Sequence, residues 1–69
     1  MTKQEMVDHL KCSIKDRNKN INNMRQLIVA EKDPKQCIRF LRMVMMEYNR
    51  IDDIQKEINF IIEDRLFIP

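Results

Sequence analysis

The sequence predicts an all-α protein: one antiparallel two-helix hairpin, pairing into a homodimeric four-helix bundle. Three observations predict it. The 69 residues include no glycine and two prolines, and a chain without glycine lacks the residue that hairpin-rich β folds use for left-handed turns. Apolar side chains recur at alternating steps of three and four, the spacing of a helical seam. One proline, Pro34, stands near the middle, preceded by Asp33.

The first helix is expected over about residues 2–31. Thr2-Lys3-Gln4-Glu5 fits a capping box, in which hydroxyl and carboxylate satisfy reciprocal backbone N–H groups. Val7, Leu10, Ile14, Ile21, Met24 and Ile28 then follow the seam, with Arg17 at its one polar position. Asn18, Asn20, Asn22 and Asn23 are its weak point, because asparagine competes for backbone hydrogen bonds; a kink there is left open. The turn falls at about residues 32–33: the residue before a proline is driven out of the helical region. Asp33 is a good N-cap, Pro34 suits the first helical position and Gln36 supplies the capping partner. The second helix runs from Pro34 to about Arg65. Its expected inward positions are Cys37, Phe40, Leu41, Val44, Tyr48, Ile51, Ile54, Ile58, Ile61 and Ile62. Residues 66–69 form an apolar tail, and the whole of 1–69 is one domain.

So short a connection makes the helices antiparallel. With the turn centred near residue 32, positions whose numbers sum to about 64 face each other, so Leu10 meets Ile54 and Met24 meets Phe40. Arg17 falls opposite Glu47. These are the polar exceptions on two apolar stripes, and they are expected to form a structural pair that fixes register.

One hairpin does not use all the apolar surface. Ile38, Met43, Met45, Met46 and Phe60 lie off the inward stripe, and the chain finishes with Leu66, Phe67 and Ile68. A helix apolar over most of its circumference needs more than one neighbour, and methionine adapts to irregular partners. These eight residues are the expected protein-interaction surface, for a second copy of the chain, a larger protein, or both.

Charge gives another candidate. Residues 1–42 hold ten Lys/Arg against five acids (+5), and residues 43–69 three against six (−3), which recovers the net +2. Lys11, Lys15, Lys19 and Arg25 stand with Asn18 and Asn22 on the outer face of the first helix, where a basic stripe could track phosphates. A solvated face is the commoner meaning of such a stripe, and no aromatic lies within it to stack on a base.

Catalytic and cofactor chemistry find no support. There is no Gly-rich phosphate loop. His9, Cys12 and Glu5 lie at helical spacing but lack the fourth ligand of a structural zinc site. Asp52, Asp53 and Glu57 read as solvated acids. No metal or cofactor is expected, and the protein reads as non-enzymatic. Two cysteines without a CxxC, no apolar leader and no membrane-length apolar run indicate a reducing, cytoplasmic setting with no membrane partner.

The opening Met1-Thr2-Lys3-Gln4-Glu5 and the two-helix layout resemble the Rop family of plasmid-encoded RNA-binding hairpin proteins. The resemblance covers those five residues and the architecture. It implies a homodimeric antiparallel four-helix bundle that binds paired RNA loops. Aligned without gaps, the family's exposed RNA contacts on the first helix, one of them aromatic, fall on Leu10, Ile14, Asn18 and Arg25. Here Leu10 and Ile14 belong to the inward seam and no aromatic stands at these positions, so the RNA contacts do not carry over as a set.

Ile, Lys and Asn together make 23 of the 69 residues, the bias of an AT-rich coding sequence such as a virus, phage or mobile element often carries. The expected function is therefore that of a small helical adaptor or inhibitor occupying a surface of a larger protein. The alternative is a basic-face, Rop-like nucleic-acid-binding regulator.

Overall fold

The computed structural model describes residues 2–63. They form two helices, α1 (Lys3–Ala30) and α2 (Pro34–Ile62), packed side by side as a hairpin. The particle measures 54 × 19 × 13 Å, a single layer of two helices.

α1 starts where its cap predicts: Thr2 is extended and its hydroxyl accepts the Glu5 N–H at 3.1 Å. The helix passes unbroken through all four asparagines, each of them exposed. An exposed asparagine side chain is solvated, so its competition with the backbone costs little and packing of the opposite face decides the helix.

The connection is Glu31-Lys32-Asp33, one residue earlier than expected, and it closes without a glycine. Glu31 is extended (φ −82°, ψ 135°), and its N–H reaches the Leu27 and Ile28 carbonyls. Its carboxylate accepts the N–H groups of Lys32 and Asp33, both at 3.1 Å. The Asp33 carboxylate accepts the Lys35 N–H at 3.1 Å, and Pro34 opens α2. The Cys37 thiol points back at the Glu31 and Ile28 carbonyls, at 3.5 and 3.8 Å, so a weak donor from α2 helps finish the end of α1.

The seam between the helices is strict. On α1 it is Val7, Leu10, Ile14, Arg17, Ile21, Met24 and Ile28; on α2 it is Cys37, Phe40, Val44, Glu47, Ile51, Ile54, Ile58 and Ile61. All fifteen are buried or half-buried. Val7, Ile54, Ile58 and Ile61 form the core cluster, with Met6, Leu10 and Ile14 packed on it. This core lies at the open end of the hairpin, away from the turn. On the turn side Ile21 and Val44 are buried, and their seam neighbours are half-buried.

Three positions expected to face inward do not. Leu41, Tyr48 and Ile62 are 50%, 46% and 58% exposed. Each lies four residues past a seam position (Cys37, Val44, Ile58), on its shoulder. A single neighbouring helix covers two positions per heptad, and the wider stripe read from the sequence needs a second neighbour to bury its edge. α2 is described as far as Ile62, with Glu63 as its C-cap; the expected end at about Arg65 lies outside the described residues.

Candidate protein-interaction surface

A layer of two helices has two broad faces. On α2, Leu41 and Tyr48 line one, which we call the first face. Ile38 and Met45 stand three residues before each of them, so Ile38, Leu41, Met45 and Tyr48 make one continuous ridge of about 15 Å at 1.5 Å per residue. On α1 the same face carries Arg25, four residues past Ile21, and Val29, which is 88% exposed. Arg25, Ile28 and Val29 from α1 meet Leu41, Val44 and Tyr48 from α2 around an open groove of about 370 Å³. The ridge and the groove are the candidate site.

The sequence-predicted surface is thus divided. Ile38 and Met45 belong to the first face. Met43, one residue before Val44, and Met46 lie toward the opposite, second face, which α1 supplies with Leu27. Phe60 is on that side too, but at the open end, beside Leu10, Lys56, Glu57 and Ile61. Leu66, Phe67 and Ile68 lie outside the described residues. Leu41, Tyr48, Ile62, Val29 and Leu27 were missed as surface residues. Val29 was legible as an apolar residue off the seam; Leu41 and Tyr48 were hidden by their assignment to it.

The exposed apolar surface is concentrated. Among the described residues, eight of the ten large apolar side chains left exposed fall between Leu27 and Tyr48, on the turn side. At the open end α2 is more nearly amphipathic: Ile51, Ile54, Ile58 and Ile61 point inward and Asn49, Arg50, Asp52, Asp53, Gln55, Lys56, Glu57 and Asn59 are exposed, with Phe60 and Ile62 the two exposed apolar exceptions. Lys56 and Asp52 there make a solvated ion pair at 3.2 Å.

Arg17 and Glu47 mark the border between the halves, and they pair as expected. One Arg17 nitrogen lies 3.3 Å from both Glu47 carboxylate oxygens, with the two side chains 31% and 23% exposed. Because a single nitrogen serves both oxygens, this is not the two-bond fork of the strongest arginine–carboxylate pairs. The Arg17 Nε is buried without a partner.

Lys11, Lys15, Lys19 and Arg25 are all exposed, as a basic stripe requires. They do not share one environment. Lys11 lies at the open end beside Gln4, Val7 and Ile62, whereas Arg25 borders the apolar groove. The fold brings Tyr48 to that groove, an aromatic that α1 itself lacks. Leu10 and Ile14, at the Rop family's contact positions, pack against the core cluster.

Among the described residues no group of three His, Cys, Asp or Glu side chains is placed to hold a metal ion, and no helix is long and apolar enough to cross a membrane. Cys12 and Cys37 are free thiols. In comparisons with protein-family models, curated proteins and solved structures, nothing matches this chain.

Proposed function

We propose that the chain is a non-enzymatic interaction module, an adaptor or inhibitor that works by seating its turn-side half on a larger protein in a reducing, cytoplasmic setting. The observation that carries this reading is that, among the described residues, eight of the ten exposed large apolar side chains gather in one half of the hairpin. Exposed apolar residues scattered singly mean little; a contiguous patch marks an interaction site. A partner covering Val29, Ile38, Leu41, Met45 and Tyr48 gains on the order of 5 kcal/mol from apolar burial, before the costs of association.

The homodimeric four-helix bundle is the competing occupant, and it fits this surface less well. Among the described residues, the open-end half of the first face presents Lys11, Lys15, Asp52 and Gln55, with Ile62 as its one exposed large apolar side chain. An antiparallel second copy overlaid along its full length sets the apolar half of each chain on that polar half. Any register that matches apolar to apolar stacks two turn-side halves, and residues 18–46 carry six Lys/Arg against two acids.

The test is substitution with solution mass and helicity as readouts. Met45→Glu and Met46→Glu, made separately because they lie on different faces, should leave far-UV helicity unchanged. Leu41→Asp and Met45→Glu should abolish capture of a specific partner that the wild-type chain retains, and Met46→Glu should not. Undiminished capture by Leu41→Asp would sink the assignment.

A second reading, nucleic-acid binding through Lys11, Lys15, Lys19 and Arg25, draws on their exposure and on Tyr48 beside Arg25. It requires an affinity that falls steeply with salt and drops on charge reversal of Lys15 and Lys19.

A further inference from the structure

The reading above leaves the partner's chemistry open, and the turn-side half restricts it. We propose that the first face is a docking groove for an acidic amphipathic helix of another protein, one with apolar anchors on one side and carboxylates flanking them. This rests on the interaction-module reading and goes beyond it.

The argument begins with the charges that border the apolar ridge. Arg25 lies along its inner edge, at the groove. Arg42 is four residues from Ile38 and three from Met45, so it neighbours both on the helix surface and flanks the ridge on its outer edge. Lys35, three residues before Ile38 and seven before Arg42, continues that outer line. Acids do not neutralise these cations: α1 from Arg17 to Ala30 and α2 from Pro34 to Met46 contain no Asp or Glu, Glu47 is turned into the seam against Arg17, and Asp52, the first-face acid beyond Tyr48, pairs with Lys56. The two acids of this half, Glu31 and Asp33, are both in the turn, where their carboxylates accept backbone N–H groups. An apolar ridge with Arg25 on its inner edge and Lys35 and Arg42 along its outer edge is complementary to a helix with the inverse pattern.

Shape agrees with charge. The Ile38–Tyr48 ridge is about 15 Å long, enough to meet apolar side chains at i, i+3, i+7 and i+10 of a partner helix. Ile28 and Val44 are seam residues whose edges line the groove, so the partner would lie over the joint between α1 and α2 as a third helix of the bundle. Such a third helix supplies the second neighbour that Leu41 and Tyr48 lack. A nucleic-acid backbone would satisfy the cations but leave the ridge in water. A bilayer would have to take up Arg42 and Lys35, which run along the back of α2 between its two apolar lines.

The probes are capped helical peptides of about 18 residues, long enough to hold a helix. One carries Leu at i, i+3, i+7 and i+10 with Glu on both flanks; its twin carries Lys in place of every Glu. Binding to the full chain is read by fluorescence anisotropy, beside a duplex RNA and phosphatidylglycerol vesicles. The Glu peptide should bind at least about tenfold more tightly than its Lys twin, and the Arg25→Glu/Arg42→Glu double variant should invert that order. Leu41→Asp should remove both interactions, while Lys56→Glu, remote from the groove, should change neither. Far-UV helicity of each variant confirms that the hairpin is intact.

Equal affinity for the two peptides, absence of Glu-peptide binding, or a preference untouched by Arg25→Glu/Arg42→Glu overturns the acidic partner. RNA or vesicle binding that needs Arg25 and Arg42, in place of peptide binding, overturns it in favour of that ligand. A dimer that Leu41→Asp turns into a monomer assigns the face to a second copy. Binding that is lost in Leu41→Asp but indifferent to charge leaves the interaction-module reading standing and removes this one; associations that all survive Leu41→Asp remove both.

Discussion

The Arg17–Glu47 pair occupies two positions where the seam elsewhere places apolar residues. The attraction works across a partly solvated site, one nitrogen serves both oxygens, and the Arg17 Nε has no partner. A pair of this kind adds little net stability but is costly to break from one side, because the remaining charge keeps its partial burial. Glu47→Leu alone should therefore destabilise the hairpin by about 1–2 kcal/mol. The double variant Arg17→Leu/Glu47→Leu should recover most of that loss or exceed wild type. A double-mutant cycle in urea measures the coupling; a double variant less stable than Glu47→Leu would contradict this account. Neighbouring aliphatics obey a simpler rule. Ile54 is 1% exposed, and Ile54→Ala should cost about 2–5 kcal/mol, enough to unfold a marginal hairpin. Leu41→Ala, at a half-exposed shoulder, should cost well under half as much.

At the level of the element, the connection shows what can replace a glycine. α1 ends through an extended Glu31, α2 begins with Asp33 and Pro34, and the Cys37 thiol reaches back to the last carbonyls of α1. Asp33→Ala removes the acceptor for the Lys35 N–H and should lower stability by about 1 kcal/mol, read as a shift in thermal midpoint. These features were legible in the sequence because they depend on neighbours in the chain: a cap beside its helix, a proline after its cap, a seam counted in threes and fours. The Arg17–Glu47 pairing was legible for a related reason, since a short turn fixes which positions of the two helices meet. Leu41, Tyr48 and Ile62 were misread because periodicity reports where a helix is apolar, not how many neighbours it has. The same ambiguity merged Ile38 and Met45 with Met43 and Met46 into one patch, when the fold sets the two pairs toward opposite faces of a thin layer.

For the whole molecule, the decisive property is an uneven distribution of stability along the hairpin. The core cluster of Val7, Ile54, Ile58 and Ile61 sits at the open end, while the half that is covalently joined by the turn holds most of the exposed large apolar side chains among the described residues. Regions with few buried apolar contacts open locally at lower free energy than the core. Amides of residues 20–28 and 37–46 should therefore exchange with solvent at least about tenfold faster than those of residues 9–14 and 54–61 in the free chain. A ligand that binds the folded form of the turn-side half stabilises that half by mass action, so saturation with the acidic helical peptide should slow exchange there and leave the open end nearly unchanged. Hydrogen exchange read residue by residue checks both parts at once. Uniform protection in the free chain would mean that the turn-side half is already satisfied by the hairpin alone. The exposed ridge of Ile38, Leu41, Met45 and Tyr48 would then need no partner to explain it, and the functional reading built on it would fall with the gradient.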